Sequence, residues 1–407
     1  MRALFTHVQR PPGISDDIVT AFRDGVVTLR SNRRAEGFTN AVMEIGYQGV
    51  RRGDLVVHSM DGFAGAVGVS ESDGKASPVV SCYVAVADVD AHYYAYLIRD
   101  LAVRGFVTSL AKGIRERSTA FDSETLRSLV VPFPPLRVQR AIADFLDRET
   151  ARIDALIEAK AHLSELLSER RREYVSRAVT VGLGESVALR STGDEFAPEI
   201  PNGWRLMRLR HVVEAIVDTA HKTAPVVDDG EYLVVRTSNV KNGRLVFEDA
   251  RYTDEASWKE WTARGIPQPG DVMFTREAPA GEACLVPEGV PLCIGQRMVH
   301  LRVNRSVIVG EWLLHSIYAG PAQRFIEILS KSTTVAHINM SDIPDIPVVV
   351  PTIVEQEDVL RSVRQVIQNQ ELLTERLARQ IALLREHRQA LITAAVTGEL
   401  EIPGVAA

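Results

Sequence analysis

Two stretches of the chain, residues 139–178 and 356–395, carry apolar residues at heptad spacing and contain no proline or glycine. A long helix with a narrow apolar stripe buries that stripe against a similar helix. A lone heptad run would fit a solvent-exposed helix or a homodimer zipper equally well, but two runs in one chain favour pairing within the chain. We therefore predict two helices of about 60 Å that pair as an antiparallel coiled coil. The predicted seam consists of Ile142, Leu146, Ile153, Leu156, Leu163, Leu167 and Tyr174 on the first helix, and Val359, Val363, Val366, Leu373, Leu377, Leu384 and Leu391 on the second.

The second stretch begins 217 residues after the first, and the same interval relates residues outside the helices. Gly53-Asp54-Leu55-Val56-Val57 is matched by Gly270-Asp271-Val272-Met273-Phe274 at this interval. Between such anchors the interval drifts and recovers, as it does when surface loops differ in length between two copies of one fold. The sequence thus predicts a duplicated unit, in which one globular domain is followed by one long helix.

The globular part of each unit has the pattern of a small mixed domain. Short β-branched runs bounded by glycines and polar turns predict strands, and one short helix precedes a final strand in each copy. The predicted strands and helix are 26–30, 54–58, 66–70, 82–87, helix 92–101 and strand 129–131 in the first copy, and 232–236, 271–275, 284–287, 298–303, helix 312–319 and strand 347–350 in the second.

These elements predict an α+β fold with a pseudo-twofold internal repeat. Each half has small, mainly antiparallel sheets with flanking helices, and the two long helices separate the halves. A segment rich in Gly, Ser, Asp, Glu and Pro between the halves predicts a surface linker. The predicted boundaries are 1–134 for the first domain, 135–182 for the first long helix, 183–203 for the linker, 204–350 for the second domain and 351–400 for the second long helix.

Composition limits the cell compartment and the class of partner. The net charge of −6 and the pI near 6 are not those of a typical nucleic-acid-binding domain, so any polyanion must meet a local basic patch or a partner's surface. The three cysteines, Cys82, Cys284 and Cys293, form no C-x-x-C pair and predict core thiols. The sequence shows no signal peptide and no apolar run of the roughly 20 residues that a membrane span needs. A cytoplasmic protein without membrane contact is expected.

The motifs of common enzymes are absent from the sequence. It contains no G-x-x-x-x-G-K-[ST] nucleotide loop, no H-E-x-x-H metal site and no G-x-S-x-G nucleophile turn. Val131-Pro132-Phe133-Pro134-Pro135 lacks the Asp or Asn of a nucleobase methyltransferase and predicts a domain end instead. We expect no catalytic residue, no metal site and no cofactor in this chain.

Polar and basic loops recur at equivalent places in the two domains. Arg, Asn, Lys, Ser and Thr are the side chains that contact base edges or phosphates. A single charged loop more often only solvates the surface, but recurrence in both copies favours recognition. The predicted DNA-binding residues are Arg30, Asn32, Arg33, Arg34, Lys112, Arg115 and Arg117 in the first domain, and Arg236, Ser238, Asn239, Lys241, Arg276, Lys331, Thr333, Thr334 and His337 in the second.

Several motifs together resemble the specificity subunit of type I restriction-modification systems. The first long helix, from Pro134-Pro135-Leu136-x-x-Gln139 to Ala178-Val179-Thr180, is similar to the first central conserved region of that family. Gly53-Asp54-Leu55-Val56 with Gly113-Ile114-Arg115 resembles one class of its target recognition domains, and Arg276-Glu277-Ala278-Pro279-x-Gly281-Glu282 resembles another. The likeness covers nearly the whole chain.

The resemblance implies a non-catalytic subunit that reads a bipartite, asymmetric site on double-stranded DNA. Each recognition domain would read one half-site, and the paired helices would set the distance between them. The family further implies two modification (methyltransferase) subunits, which bind S-adenosylmethionine and methylate adenine. Restriction (translocase) subunits, which use ATP and Mg, would complete the complex.

Two other functions fit parts of the pattern. A coiled-coil scaffold with tandem protein- or RNA-binding domains would have the same helices, and co-purification with a protein carrying an Asn-Pro-Pro-aromatic motif would argue against it. A standalone nuclease or methyltransferase is disfavoured by the missing motifs.

Overall fold

The computed structural model describes residues 1–33, 45–86, 88–106, 121–184, 186–219, 222, 224–331 and 337–402. The chain divides into two compact units, and each long helix contributes to both. Unit 1 consists of Met1–His162 with Leu377–Ala407, and unit 2 of Leu163–Arg376. Each unit therefore holds one globular domain, the first part of the long helix that follows it and the last part of the other long helix.

The domain of unit 1 is built from short strands and helices. Its main sheet has the order β1-β8-β5-β6 with antiparallel neighbours, and β2-β3 and β4-β7 form two-stranded sheets. The elements are β1 (Phe5–Val8), β2 (Val19–Ala21), β3 (Val27–Leu29), β4 (Gln48–Val50), β5 (Leu55–His58), β6 (Val67–Val69), β7 (Gly74–Ala76), β8 (Val80–Ala85), α1 (Ala91–Val103), α2 (Ser123–Ser128) and the first part of α3 (Leu136–Thr180).

Strand β5 shows why this sheet is apolar on both faces. Leu55 and Val57 belong to the core that includes α1, whereas Val56 belongs to a second cluster with residues of β2, β3 and β7. A strand covered on both faces has a continuous apolar run instead of an alternating one. Helix α1 then begins where the Asp90 side chain accepts a hydrogen bond from the Tyr93 backbone N–H at 2.9 Å.

Unit 2 repeats this construction with additional strands. Its main sheet has the order β12-β20-β17-β18, and a smaller sheet, β16-β13-β19, contains one parallel pair, β13 with β19. The elements are β9 (Leu189–Ser191), β10 (Glu199–Pro201), β11 (Arg205–Arg208), β12 (Val213–Asp218), β13 (Tyr232–Val235), β14 (Val240–Lys241), β15 (Arg244–Leu245), β16 (Arg251–Thr253), α4 (Glu255–Trp261), β17 (Val272–Thr275), β18 (Ala283–Leu285), β19 (Leu292–Ile294), β20 (Met298–Val303), α5 (Gly310–Ile317), α6 (Gly320–Lys331), β21 (Pro347–Val350) and α7 (Ile353–Thr397).

The two main sheets confirm the predicted α+β fold and its duplication. In both units an antiparallel four-stranded sheet is followed by a helix, α1 or α5, and then by a long helix, α3 or α7. The first turn of each long helix contains a buried glutamine at the equivalent position, Gln139 in α3 and Gln356 in α7.

The prediction of a strand at Leu129–Val131 is wrong. Its counterpart, β21, pairs with β11 through Arg205 to Arg208. Among the described residues of unit 1 no strand takes the place of β11, so the segment has no ladder to join. The Met1 amino group instead donates a hydrogen bond to the Leu129 carbonyl at 2.7 Å.

Part of the segment predicted to be a surface linker packs into the core of unit 2. Strands β9 and β10 pair as a hairpin, and Ala197 and Ile200 are buried. Trp204, which follows, packs edge-to-face on Trp312 with ring centroids 5.6 Å apart. The segment therefore contributes apolar surface to the domain that follows it.

Within each unit α3 and α7 lie side by side, a helix pair that we call the rod, and in unit 1 they are antiparallel. Lys160 Nζ donates to Gln380 Oε1 at 2.7 Å, and Arg388 Nε lies 2.9 Å from Asp154 Oδ1. Residue numbers on α7 thus rise as those on α3 fall. In unit 2, Arg171 Nη1 of α3 lies 3.9 Å from Glu371 Oε1 of α7.

Burial along the rod agrees with eleven of the fourteen predicted seam residues and shifts the seam by one residue at the other three. Less exposed residues recur at alternating intervals of four and three. On α3 they are residues 153, 157, 160, 164, 167, 171 and 174, and on α7 they are residues 363, 367, 370, 374, 377, 381, 384, 388 and 391. The prediction is wrong for Leu156, Leu163 and Leu373, whose side chains are 43%, 46% and 45% exposed. Ile157, Ser164 and Thr374, one residue later, take their places on the seam. Ile142, Leu146, Ile153, Leu167, Tyr174, Val359, Val363, Val366, Leu377, Leu384 and Leu391 are buried or half-buried.

Candidate nucleic-acid interface

A cleft of about 560 Å³ in unit 1 brings together several basic side chains. It opens beside β2 and β3, where the chain leaves the small sheet, and two of the predicted residues, Arg30 and Arg33, line it. Arg23 and His58 line it as well and were not predicted. The charged and imidazole side chains of the lining are Arg23, Arg30, Arg33, His58, Asp24 and Asp61.

Arg33 is held at this cleft by an ion pair with Asp24. Its Nη1 donates to Asp24 Oδ1 at 2.9 Å, Nη2 contacts Oδ2, and the guanidinium carbon lies 4.7 Å from the centroid of the Phe22 ring. Burial alone would raise the pKa of Asp24, but the hydrogen bond from Arg33 brings it below its ordinary value. The side chain of Arg33 is nevertheless 40% exposed, so it is oriented by Asp24 and still open to a ligand.

His58 adds a neutral donor to the cleft. The Asp61 backbone N–H donates to His58 Nδ1 at 3.0 Å, so the ring proton of the neutral tautomer is on Nε2. Burial lowers the pKa of His58, which favours that neutral form. Asp61 in turn accepts a hydrogen bond from Arg23 Nη2 at 2.8 Å. An N–H donor beside arginines suits the acceptor atoms of bases and phosphates.

The other predicted residues of this domain have different settings. Asn32 is exposed, and its amide donates to Thr28 Oγ1 at 3.0 Å. Arg30 Nε lies 3.4 Å from Thr20 Oγ1. Arg34, Lys112, Arg115 and Arg117 lie outside the described residues.

In unit 2, the loop after β13 is more tightly folded than its sequence indicates. Asn239 is fully buried, and its side chain accepts from the Arg236 backbone N–H and donates to the carbonyls of Val246 and Glu248 at 3.1 Å. The prediction for Asn239 is corrected, because a buried amide with these partners fixes the loop and does not face DNA. Arg236 Nη2 donates to the Asp249 carbonyl at 2.6 Å.

A second charged group in unit 2 surrounds Glu277. His337 Nδ1 lies 2.9 Å from Glu277 Oε1, Arg297 Nε lies 3.3 Å from Oε2, and Arg276 Nη2 lies 3.9 Å from Oε1. Arg276 also approaches Asp218, with Nη1 and Oδ2 3.8 Å apart.

Exposure separates the members of this group. The side chain of Arg276 is only 9% exposed, so the prediction that it binds DNA is corrected: it is buried beside Glu277. The side chain of Arg297 is 51% exposed. Arg297 was not among the predicted residues, although it lies at the end of the loop directly before β20.

The remaining predicted residues of unit 2 lie on its surface or outside the described part. Ser238 and Lys241 are exposed, and Lys241 Nζ lies 3.8 Å from Glu248 Oε2. Thr333, Thr334 and the side chain of Lys331 are outside the described residues.

The cysteines are core thiols, as predicted. Cys82, Cys284 and Cys293 are free and fully buried, and burial raises the pKa of each thiol to about 12. Within the described ranges no group of three or more His, Cys, Asp or Glu side chains could hold a metal ion. Across the same ranges, no helix combines the length and apolarity that crossing a membrane requires.

The chain is similar in sequence to several named proteins. No family model matches the chain. The chain is 21% identical over 285 residues to the type I restriction enzyme EcoBI specificity subunit of Escherichia coli, which covers 68% of this chain and 60% of that protein. It is 20% identical over 280 residues to the putative type I restriction enzyme MjaX specificity subunit of Methanocaldococcus jannaschii, with 68% and 61% covered. The matches thus span about three fifths of the length of these relatives.

Structural comparison agrees with the sequence matches. A chain solved in a study of complex assembly and conformational transition of the type I R-M system has a TM-score of 0.71 at 16% identity, over 98% of both chains. The HsdS subunit from Thermoanaerobacter tengcongensis has a TM-score of 0.51 at 19% identity, over 87% of this chain and 83% of that one. At these identities the structures establish the shared fold. In sequence the chain is thus similar to named type I restriction enzyme specificity subunits, and in fold it is similar to a solved HsdS subunit.

Proposed function

We propose that this chain is the DNA-reading subunit of a type I restriction-modification complex. Its two domains would each read one half of a bipartite, asymmetric target. It would direct adenine methylation or DNA cleavage by partner subunits in the cytoplasm without performing either reaction itself.

The observation that carries this proposal is a repeated scaffold with unlike basic loops. The main sheets and the attachment of each long helix repeat between the units. The loops do not: unit 1 presents Arg33 and His58 at an open cleft, whereas unit 2 presents Arg236 and the group around Glu277. Different donors and acceptors on equivalent supports favour two different base sequences.

Exposed leucines support the docking of protein partners on the rod. In unit 1 these are Leu156 and Leu383, and in unit 2 they include Leu163, Leu166 and Leu373, all between 43% and 56% exposed. On each helix they occupy the heptad positions that precede the seam residues, and in an antiparallel pair these positions form one edge. Leucine side chains at solvent-facing positions indicate a surface that another protein covers. We assign that surface to the modification subunits, which would bring S-adenosylmethionine; restriction subunits would bring ATP and Mg.

Methylome sequencing tests the function directly. A host strain with the intact gene and a strain in which it is deleted are compared for methylated adenines. We expect a two-part motif with a fixed gap that disappears on deletion and returns on complementation. An identical set of methylated motifs in both strains would reject the proposal and favour a scaffold. As a control, the chain alone is assayed for methyl transfer and for cleavage, and neither is expected.

A further inference from the structure

An arginine cluster lies on the rod within unit 2. Arg244, on the β14–β15 hairpin of the globular domain, contacts the carboxylate of Glu371 on α7. Arg171 on α3 lies 3.9 Å from the same carboxylate, and Arg172 is exposed beside it. Side chains from three separate elements therefore converge on one point of the rod.

The cluster carries more positive than negative charge. Arg171 and Arg244 both approach the carboxylate of Glu371, and the charge of Arg172 also acts on Arg171. Burial lowers the pKa of Arg171, and the charges of Arg244 and Arg172 lower it further. Repulsion among the arginines is thus only partly offset, and a second anion at this point would relieve it.

Its position on the rod distinguishes the cluster from the leucines. Arg171 occupies a seam position, and Arg172 and Glu371 follow seam positions, whereas Leu163, Leu166 and Leu373 precede them. On a heptad wheel these two sets fall on opposite edges. The arginine edge is the one that the globular domain approaches, since Arg364 on the same edge pairs with Glu311 of α5.

We infer that Arg171, Arg172 and Arg244 bind backbone phosphates of the DNA next to the half-site that the second domain reads. The inference rests on the proposed function and adds a contact of the rod itself with the unread base pairs. Guanidinium groups bind phosphate oxygens through paired N–H donors without reading sequence. Glu371 is about 10 Å further along α7 than the Arg364–Glu311 contact, seven residues at 1.5 Å each, so the cluster lies at the far side of the domain's contact with the rod. The cluster would add affinity and salt dependence, and leave the half-sites unchanged.

The salt dependence of DNA binding tests this site. The full chain, assembled with its partner subunits, is titrated against a duplex carrying the motif found by methylome sequencing, at several salt concentrations. Each phosphate contact contributes about 0.9 to the slope of log K against log salt. Arg171→Gln, Arg172→Gln and Arg244→Gln are each expected to reduce the slope by up to about 0.9, and to weaken binding roughly five-fold near 0.15 M salt. Arg152→Gln, an exposed arginine of α3 in unit 1, is the matched control and should leave the slope unchanged.

The variant Glu371→Gln distinguishes a phosphate-binding site from a cluster that only holds the β14–β15 hairpin against the rod. Removing the one carboxylate raises the net positive charge, so a phosphate site binds DNA several-fold more tightly. If the cluster only holds the hairpin to the rod, Glu371→Gln weakens binding as Arg244→Gln does. That result, or slopes equal to wild type in all three arginine variants, would overturn the inference while leaving the proposed function intact. Wild-type complex without preference for a bipartite duplex would overturn both.

Discussion

Gln139 and Gln356, 217 residues apart in the sequence, make the same three hydrogen bonds in their own units. Gln139 accepts from the Asp90 N–H at 2.8 Å and donates to the carbonyls of Asp88 and Pro134. Gln356 accepts from the Val309 N–H at 2.8 Å and donates to the carbonyls of Val307 and Pro351. Each fully buried amide thus joins the first turn of a long helix to the chain just before α1 or α5.

Gln139→Ala and Gln356→Ala are expected to be strongly destabilising. Each variant removes the glutamine partner of one partly buried N–H and two carbonyls, and a buried polar group left without a partner costs about 1–3 kcal/mol. We expect the free energy of unfolding of the affected unit to fall by roughly 3 kcal/mol or more. Urea unfolding of the full chain measures this loss. Gln365→Ala, on an exposed position of α7, is the control and should change stability by less than about 0.5 kcal/mol. Equal stability of Gln139→Ala and Gln365→Ala would contradict the prediction.

The sequence predicted both long helices but only part of their packing. A period of seven apolar residues identifies a helix pair whatever surrounds it, which is why α3 and α7 begin and end close to the predicted residues. The phase of the seam is ambiguous, because Leu156 and Ile157 are neighbours and both apolar. In unit 1 the globular domain contacts the rod at Asp147, and in unit 2 it contacts the rod at Arg364. The heptad pattern does not contain these contacts, which accompany the one-residue shift of the buried helix face.

The basic loops were predictable to a similar degree. Arg236 stands directly after β13, and Arg33 follows β3 after one short turn, so their placement in loops follows from the pattern. Whether a loop side chain faces solvent depends on segments distant in sequence. Asn239 is buried because the β14–β15 hairpin folds back and places the carbonyls of Val246 and Glu248 around it. No local property of Arg-Thr-Ser-Asn indicates this return.

Arg33→Ala is expected to weaken recognition of one half-site only. Arg33 is exposed and oriented by Asp24, so its removal takes away a positioned donor without opening the core. A positioned contact to a base contributes about 1–3 kcal/mol. Gel-shift titrations on duplexes altered in one half at a time measure the effect. Arg236→Ala should affect the other half, and uniform loss at both halves in either variant would contradict two separate readers.

Leu156→Asn combined with Leu163→Asn is expected to weaken the binding of modification subunits. Both side chains are exposed, so their replacement removes partner-facing apolar surface and leaves the free energy of unfolding within about 0.5 kcal/mol of wild type. Co-purification of tagged chain with the modification subunit measures retention. Val354→Asn, 71% exposed near the start of α7, is the control. Full retention by the double variant would place the partner elsewhere.

Asp271→Asn is expected to show a stability difference that depends on pH. Burial would raise the pKa of Asp271, but hydrogen bonds from His300 and from the N–H groups of Gln268 and Val303 hold it below its ordinary 3.8. Because the folded pKa is lower than the unfolded one, the carboxylate stabilises the fold above about pH 4, and the effect is lost as pH falls through the folded pKa. We expect Asp271→Asn to cost about 2 kcal/mol at pH 7. Denaturant unfolding of both proteins between pH 7 and pH 3 should show the gap closing below about pH 4. A gap that stays constant would contradict this assignment.

Shortening the rod by one heptad in both helices is expected to change the gap between half-sites. Deleting residues 168–174 of α3 and 365–371 of α7 removes seven residues from each helix, keeps the heptad phase of the seam and leaves Leu163, Leu166 and Leu373 in place. Seven residues correspond to about 10 Å of helix, or about three base pairs of B-DNA at 3.4 Å each. The two domains are untouched, so both half-site sequences should persist while the unread gap becomes shorter. Methylome sequencing of a strain carrying the shortened chain reads the halves and the gap together. Deletion of four residues from each helix is the control, because it rotates the leucine edge out of phase and should abolish partner binding. Unaltered spacing in the seven-residue variant would show that the rod does not set the distance between the half-sites.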